Sequence, residues 1–381
     1  MAGSEKLYRV FISAAEPSAD SHCAGLISTM GKLRGDVEFV GLGGPKMAAA
    51  GCELLETTVG RASMIYNAFG HVVHYYKLLR RIRRYLEENR VDLVIVCDSP
   101  AFNFHVAKAA KTSGIRTLFY VAPQLWAWAP WRIGKLRRRC DKLCCILPFE
   151  QQWFAGRGVD TVFVGHPLLD GAAGDVSENK KDYAGYDPAG VLVALMPGSR
   201  TAEIKTLWRP MQQIAQSIKD KYAAARFVAV AVDEQGSRKL ETAQIAGFEC
   251  EYSAGTLAET ARQADFAIVA SGSATLQVAA AGCPMVIMYQ SSRMLWHLVG
   301  RWLVNTQYLS LVNILAEHEM VPEFMPYFRS VEPIAAKCEQ LIADTDRLRQ
   351  MSSELVELVK PLRTQNASQK TAEIVGQMLR A

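Results

Sequence analysis

One carboxylate stands where a strand runs out. Val91–Cys97 is an apolar run of strand type, and Asp98-Ser99-Pro100 follows it directly. In a parallel sheet that position faces the ligand crevice, where a carboxylate tuned toward neutrality can act as general base. A turn or N-cap aspartate would look the same at this point. Two further stretches offer anion chemistry. Leu195-Met196-Pro197-Gly198-Ser199-Arg200 ends a strand and opens a helix, so Arg200 is placed to clamp a diphosphate, or to form an ordinary surface ion pair. Ser271-Gly272-Ser273 breaks the charge-free run Phe266–Ser292 and precedes a short helix. Its backbone N–H groups suit a phosphate, and Gln277, one turn on, suits a sugar hydroxyl. A buried βαβ unit without a ligand fits that local pattern equally well.

Other chemistry is disfavoured. No GxGxxG follows the first strand, which argues against a nicotinamide enzyme. Cys140, Cys144 and Cys145 lack CxxC spacing and a nearby histidine, which argues against zinc. Nine scattered cysteines, mostly in apolar surroundings, fit reduced thiols in a cytoplasmic protein.

The elements that must carry these residues alternate strand and helix over 381 residues, a length that suits two α/β domains. Strands are read at 7–15, 37–41, 91–97, 115–121, 143–147, 161–164, 191–195, 226–232, 266–270 and 285–289. The first runs into Glu16-Pro17-Ser18-Ala19-Asp20, where Ser18 and Asp20 are both good N-caps. Polar, loose 171–186 reads as a linker between domains at 1–170 and 187–345, with helices at 346–381. The charge-free run is too interrupted, by Ser271–Ser273, Gln277 and Gly282-Cys283-Pro284, to cross a membrane.

Charge is unevenly distributed. Residues 61–142 hold 16 Lys and Arg against 5 Asp and Glu, while the rest holds 27 against 33. Within this segment Phe69, Tyr75, Tyr76, Arg80, Arg81, Arg83 and Arg84 form a helix with greasy and cationic faces. Trp126, Trp128 and Trp131 add three indoles in six residues. That composition suits the interface of an anionic membrane. A helix covering the sheet with a solvated basic face is the plainer reading. Nucleic acid lacks any recognisable motif and is not expected as a partner.

In this order the pieces Gly41–Gly51 (GLGGPKMAAAG), Asp98–Phe104 (DSPAFNF), Ala122–Trp128 (APQLWAW), Leu147–Glu150 (LPFE), Val164–Asp170 (VGHPLLD), Leu195–Ile204 (LMPGSRTAEI), Ala270–Gln277 (ASGSATLQ), Cys283–Tyr289 (CPMVIMY) and Tyr308–Leu315 (YLSLVNIL) resemble lipid A disaccharide synthase over nearly the whole chain. The resemblance implies two Rossmann-like α/β domains facing across a cleft (the GT-B arrangement), with C-terminal helices packing back on the N-terminal domain. It implies an inverting transferase that joins a UDP-linked diacylglucosamine to an acylated sugar phosphate at the inner membrane face. UDP-sugar is then a substrate, and neither cofactor nor metal is expected. The family's catalytic aspartate falls on Asp98. Donor contacts fall on Gly198, Ser199, Arg200, Ser271, Gly272, Ser273, Gln277, Tyr308 and Asn313, and the acceptor side on Glu16, Ser18 and Asp20. Exchange of C-terminal segments in a homodimer is permitted by the helical tail.

The chain departs from the family pattern in several places. Ala15, Ala19 and Cys23 replace glycines, and only glycine visits positive φ cheaply. Gln277 replaces an acidic residue, Ala101 replaces an aspartate, and Phe69–Val73 lacks a glutamate. These changes mark a distant member with shifted donor or acyl preference, or a paralogue. Another UDP-sugar enzyme of this architecture (an epimerase or muramyl-type transferase) and a non-catalytic binding homologue remain open alternatives.

Overall fold

The computed structural model describes residues 7–58, 68–170, 176–300 and 304–380, with the side chains of 68–73, 176–177, 295 and 299 left outside that description. The chain divides into two compact units, 1–171 with 361–381, and 172–360.

The first unit holds seven parallel strands: β1 (Tyr8–Ala14), β2 (Val37–Gly43), β3 (Cys52–Thr57), β4 (Leu93–Cys97), β5 (Arg116–Tyr120), β6 (Lys142–Cys145) and β7 (Thr161–Phe163). Their order is β3-β2-β1-β4-β5-β6-β7, so the winding reverses between β1 and β4. All of β4 is buried, which is why it reads as a continuous apolar run rather than an alternating one. The second unit has six strands: β8 (Leu192–Met196), β9 (Arg226–Ala231), β10 (Glu251–Ala254), β11 (Phe266–Ala270), β12 (Met285–Met288) and β13 (Glu323–Phe324). Their order is β10-β9-β8-β11-β12-β13, with the reversal between β8 and β11. Three of these strands, β3, β10 and β13, carry no clear sequence signal. They lie at sheet edges, are only partly buried and keep polar residues, so apolar patterning does not mark them.

The N-terminal turn differs from the glycine-rich shape that the family pattern suggests. Ala19 and Cys23 lie inside the helix Pro17–Leu33, fully buried, and neither they nor Ala15 has positive φ. A right-handed helix needs no glycine there. The N-cap position falls on Glu16 rather than on Ser18 or Asp20, and no side chain caps it. Asp20 instead turns inward and accepts from the backbone N–H groups of Gly44, Lys46 and Met47, pinning the start of the helix Pro45–Ala49.

The chain's return to the first unit is built by the Val164–Asp170 segment. Gly165 has φ +89°, and a Cβ there would stand 2.5 Å from the Gln365 carbonyl oxygen. His166 N–H donates to the Leu362 carbonyl at 3.0 Å. Asp170 then caps the last helix, Ala367–Arg380, accepting from Ala367 N–H at 2.7 Å and Ser368 N–H at 2.8 Å. Val375 and Leu379 of that helix join Cys23, Leu26, Ile27 and Met30 of the helix Pro17–Leu33 in one core. Of the C-terminal helices only this last one lies wholly in the first unit; Thr345–Arg363 belongs to the second as far as Lys360. Asp170→Ala removes both cap bonds, at a cost of about 1 kcal/mol. It is expected to lower the thermal midpoint and to speed proteolytic cleavage around Gln365; unchanged cleavage would count against the docking role.

Candidate active site

Backbone strain gathers at the carboxyl ends of β4 and β5. Asp98, Ser99 and Val121 all have positive φ, at 51°, 42° and 62°. Such conformations cost non-glycine residues about 1–3 kcal/mol each and persist only where surrounding bonds over-determine them. Asn103, fully buried, supplies that constraint. Its amide donates to the carbonyls of Cys97 and Asp98, both at 2.8 Å, and its oxygen accepts from the Ser13 hydroxyl at 2.8 Å. Asp98 N–H donates across to the Tyr120 carbonyl at 3.2 Å. The Asp98 side chain is left half-buried at the point where the sheet reverses. Glu16, at the end of β1, accepts from Ser99 Oγ at 3.2 Å, so the loops after β1 and β4 meet. Ser18 is half-buried in the first turn of the helix Pro17–Leu33, and Asp20, read from sequence as an acceptor-side group, pins the turn at Gly44–Met47.

The tryptophan segment splits in two. Trp128 and Trp131 are 49% and 63% exposed, but Trp126 is buried and is not a surface residue. Its indole N–H donates to Glu150 Oε1 at 2.9 Å. Glu150 is itself buried, and burial, opposed by its three N–H donors, pushes its carboxyl up to about 7; the negative charge of Asp98 adds to the rise. Two histidines near the end of this sheet, His22 and His166, are also buried, which lowers them to about 4 and about 3. Both are neutral at pH 7.

The basic helix Ala68–Glu88 has one buried stripe and one exposed basic face. Leu78, Ile82 and Leu86, spaced by four, are buried against the sheet. Arg80, Arg81, Arg83 and Arg84 are exposed, as are Tyr75 and Tyr76. Tyr75 also packs edge-on against Phe102, just after the Asp98 turn, at 5.3 Å between ring centroids. The Phe69 side chain, with Met64, Ile65 and Tyr66, lies outside the described residues.

In the second unit the loops after β8 and β11, neighbouring strands at the reversal, carry the anion-binding candidates. Gly198 has φ +97°, and a Cβ there would stand 2.4 Å from Glu203 Oε2. Glu203 needs that space because Oε2 accepts from the N–H groups of Ser199 and Arg200, both at 3.1 Å. Those two amides are therefore engaged, and Glu203, not Ser199 or Thr201, caps the helix Thr201–Lys221. The Arg200 guanidinium pairs with Glu203 Oε1 at 3.0 Å and is 69% exposed. Gly272 and Ser273 are exposed ahead of the helix Ala274–Ala280, Ser271 N–H donates to the Met288 carbonyl, and Gln277 is half-buried. Asn313, read from sequence as a donor contact, is fully buried. Its amide is spent within the protein, donating to Val321 O and Glu323 Oε2 and accepting from Met320 and Val321 N–H. It braces the segment that carries Tyr308, which is half-buried. Glu323 completes that brace by accepting from Leu309 and Ser310. Among the described residues no group of three or more His, Cys, Asp or Glu is placed to hold a metal ion.

Two doubly wound parallel sheets, each with its polar loops at the strand reversal, define an α/β protein with two Rossmann-like units. Solved structures share that fold. The glycotransferase of kitacinnamycin aligns with a TM-score of 0.63 at 15% identity, over 98% of this chain and 99% of its own. A Neisseria meningitidis UDP-GlcNAc 2-epimerase bound to UDP-GlcNAc aligns at 0.62 and 11% identity, over 99% and 100%. Acinetobacter baumannii MurG aligns at 0.58 and 15%, over 97% and 99%. A sequence model of the family described as Lipid-A-disaccharide synthetase matches residues 10–378. Lipid-A-disaccharide synthases of Geobacter metallireducens and Nitrosococcus oceani are 32% and 31% identical to this chain, over 97% of it and 97% and 96% of their own lengths. The chain belongs to the lipid-A-disaccharide synthase family and is a glycosyltransferase.

The Asn103 clamp gives a direct test. Asn103→Ala leaves two carbonyls and the Ser13 hydroxyl without their buried partner, at about 1–3 kcal/mol. Turnover is expected to fall more than tenfold while UDP affinity, measured by calorimetry, stays unchanged. Full activity in this variant would separate the clamp from catalysis.

Proposed function

We propose that the chain transfers a 2,3-diacylglucosamine unit from its UDP-linked donor to 2,3-diacylglucosamine 1-phosphate, giving the lipid A disaccharide 1-phosphate and UDP. The observation that carries this reading is Asp98, held on a strained turn at the sheet reversal of a chain matched to this family along its length. Asp98 takes the proton of the acceptor 6-hydroxyl as that oxygen attacks the anomeric carbon. The bond from that carbon to the diphosphate breaks from the opposite side, so an α-linked donor yields a β-1,6 product. The departing charge falls to the Arg200 guanidinium and the Ser271–Ser273 turn, because the Ser199 and Arg200 amides are engaged by Glu203. Gln277 meets the ribose. The reading involves no metal and no cofactor.

The acylated substrates place the work at a lipid surface. Tyr75, Tyr76, Trp128, Trp131 and the exposed arginines 80, 81, 83 and 84 suit the interfacial layer of an anionic membrane on its cytoplasmic side. No helix among the described residues is long and apolar enough to cross a membrane.

Two measurements check this. Mass spectrometry of the protein with the acylated pair is expected to detect disaccharide and UDP, and Asp98→Ala to abolish both while still binding UDP. Absence of disaccharide with every acylated pair would overturn the assignment, and an epimerised UDP-sugar in its place would move it to the epimerase reading. Replacing Arg80, Arg81, Arg83 and Arg84 by glutamine is expected to weaken co-sedimentation with phosphatidylglycerol vesicles, at about 1 kcal/mol per lost charge near the surface. Retained co-sedimentation would remove this helix from the lipid contact.

A further inference from the structure

Glu150 lies outside the reaction just described, yet its surroundings link it to Asp98. It sits in the first turn of the helix Pro148–Ala155, directly after β6. Oε2 accepts from the N–H groups of Ile146 at 3.1 Å and Leu147 at 3.0 Å, and Oε1 accepts from the Trp126 indole. Both oxygens are engaged and the residue is 1% exposed, so it does not reach substrate. Trp126 also packs edge-on against Phe149, at 4.9 Å between ring centroids. It is the second residue of the short helix Leu125–Trp128, which follows the strained Val121 and leads to the exposed Trp128 and Trp131. One carboxylate therefore ties the end of β6 to the tryptophan segment after β5, next to the strand that ends in Asp98.

We infer that Glu150 is a positioning residue for transfer, fixing the Trp126 indole and with it the segment Pro123–Trp131 on the acceptor-binding unit. This rests on the proposed acyl-sugar reading for its substrate consequences, but the tie itself does not.

The tie has a testable electrostatic character. The titratable groups that face Glu150 are Asp98, whose charge raises it, and the Cys145 thiol, which Glu150 raises in turn. With its carboxyl lifted to about 7, Glu150 is ionised above that pH and protonated below it. A proton on Oε2 would oppose two backbone donors, whereas on Oε1 it opposes only the indole. Protonation therefore settles on Oε1 and displaces the Trp126 bond. The segment is held above neutrality and loosened below it.

The test uses the full chain. The fluorescence difference between the wild type and Trp126→Phe is expected to change with a midpoint near 7, and the same difference measured in a Glu150→Gln background is expected to be flat. A flat wild-type difference, or the same transition without Glu150, overturns the tie; neither reading requires substrate. In steady-state assays Glu150→Gln is expected to raise the acceptor KM by about fivefold or more, with donor KM and kcat within about twofold. Trp126→Phe breaks the same bond from its other end and is expected to give the same pattern. A wild-type acceptor KM in Trp126→Phe, or an equal loss of kcat with both KM values unchanged, overturns the positioning role while leaving the transferase reading intact.

Discussion

Asn103 holds its amide between β1 and β4, bonded to two successive carbonyls and one serine hydroxyl. Those bonds keep Asp98 and Ser99 in left-handed conformations that their side chains disfavour. Without that restraint the turn would relax, and the carboxylate would leave the reversal point of the sheet. The contact between Ser99 and Glu16 depends on the same turn, so the geometry of both loops follows from one buried amide. The strain is stored where the chemistry is proposed, and rigid, fully buried strands supply the support.

A second device recurs in both units. Acidic side chains turn back on the loops at strand ends and accept from backbone N–H groups that would otherwise be unpaired. Asp20 does this for the Gly44–Met47 turn, Glu150 for the end of β6, Asp170 for the last helix, Glu203 for the loop after β8, and Glu323 for the Leu309–Ser310 segment. A carboxylate suits the task because its two oxygens accept several bonds, and charge makes those bonds stronger than neutral ones. The arrangement also engages the Ser199 and Arg200 amides, so the proposed diphosphate contact is assigned to the Arg200 side chain.

The basic helix shows how one element can serve both a core and a surface. Its buried stripe of Leu78, Ile82 and Leu86 satisfies the sheet, and the remaining circumference is free to carry charge and aromatic rings. The plain reading and the membrane reading of this stretch are therefore compatible, since they use different faces. Tyr75 joins the two by resting on Phe102, whose helix begins directly after the Asp98 turn.

The sequence by itself determined the fold class, the central strands and the places where polar loops meet the sheets, because buried parallel strands read as apolar runs with turn residues at their ends. It also marked Asp98 and Arg200, whose positions follow from strand ends alone. The edge strands β3, β10 and β13 were hidden, since partial burial leaves them without an apolar pattern. Only the tertiary structure decided which polar residues face outward. Asn313 and Asp20 have polar side chains that the sequence offers for binding, and the structure bonds them to partners ten residues on and more than twenty residues on. Trp126 looked like its exposed neighbours until Glu150 was found beneath it. Hydrogen-bond partners distant in sequence leave no periodic trace in the chain, so the residues that hold a site resemble those that would use it.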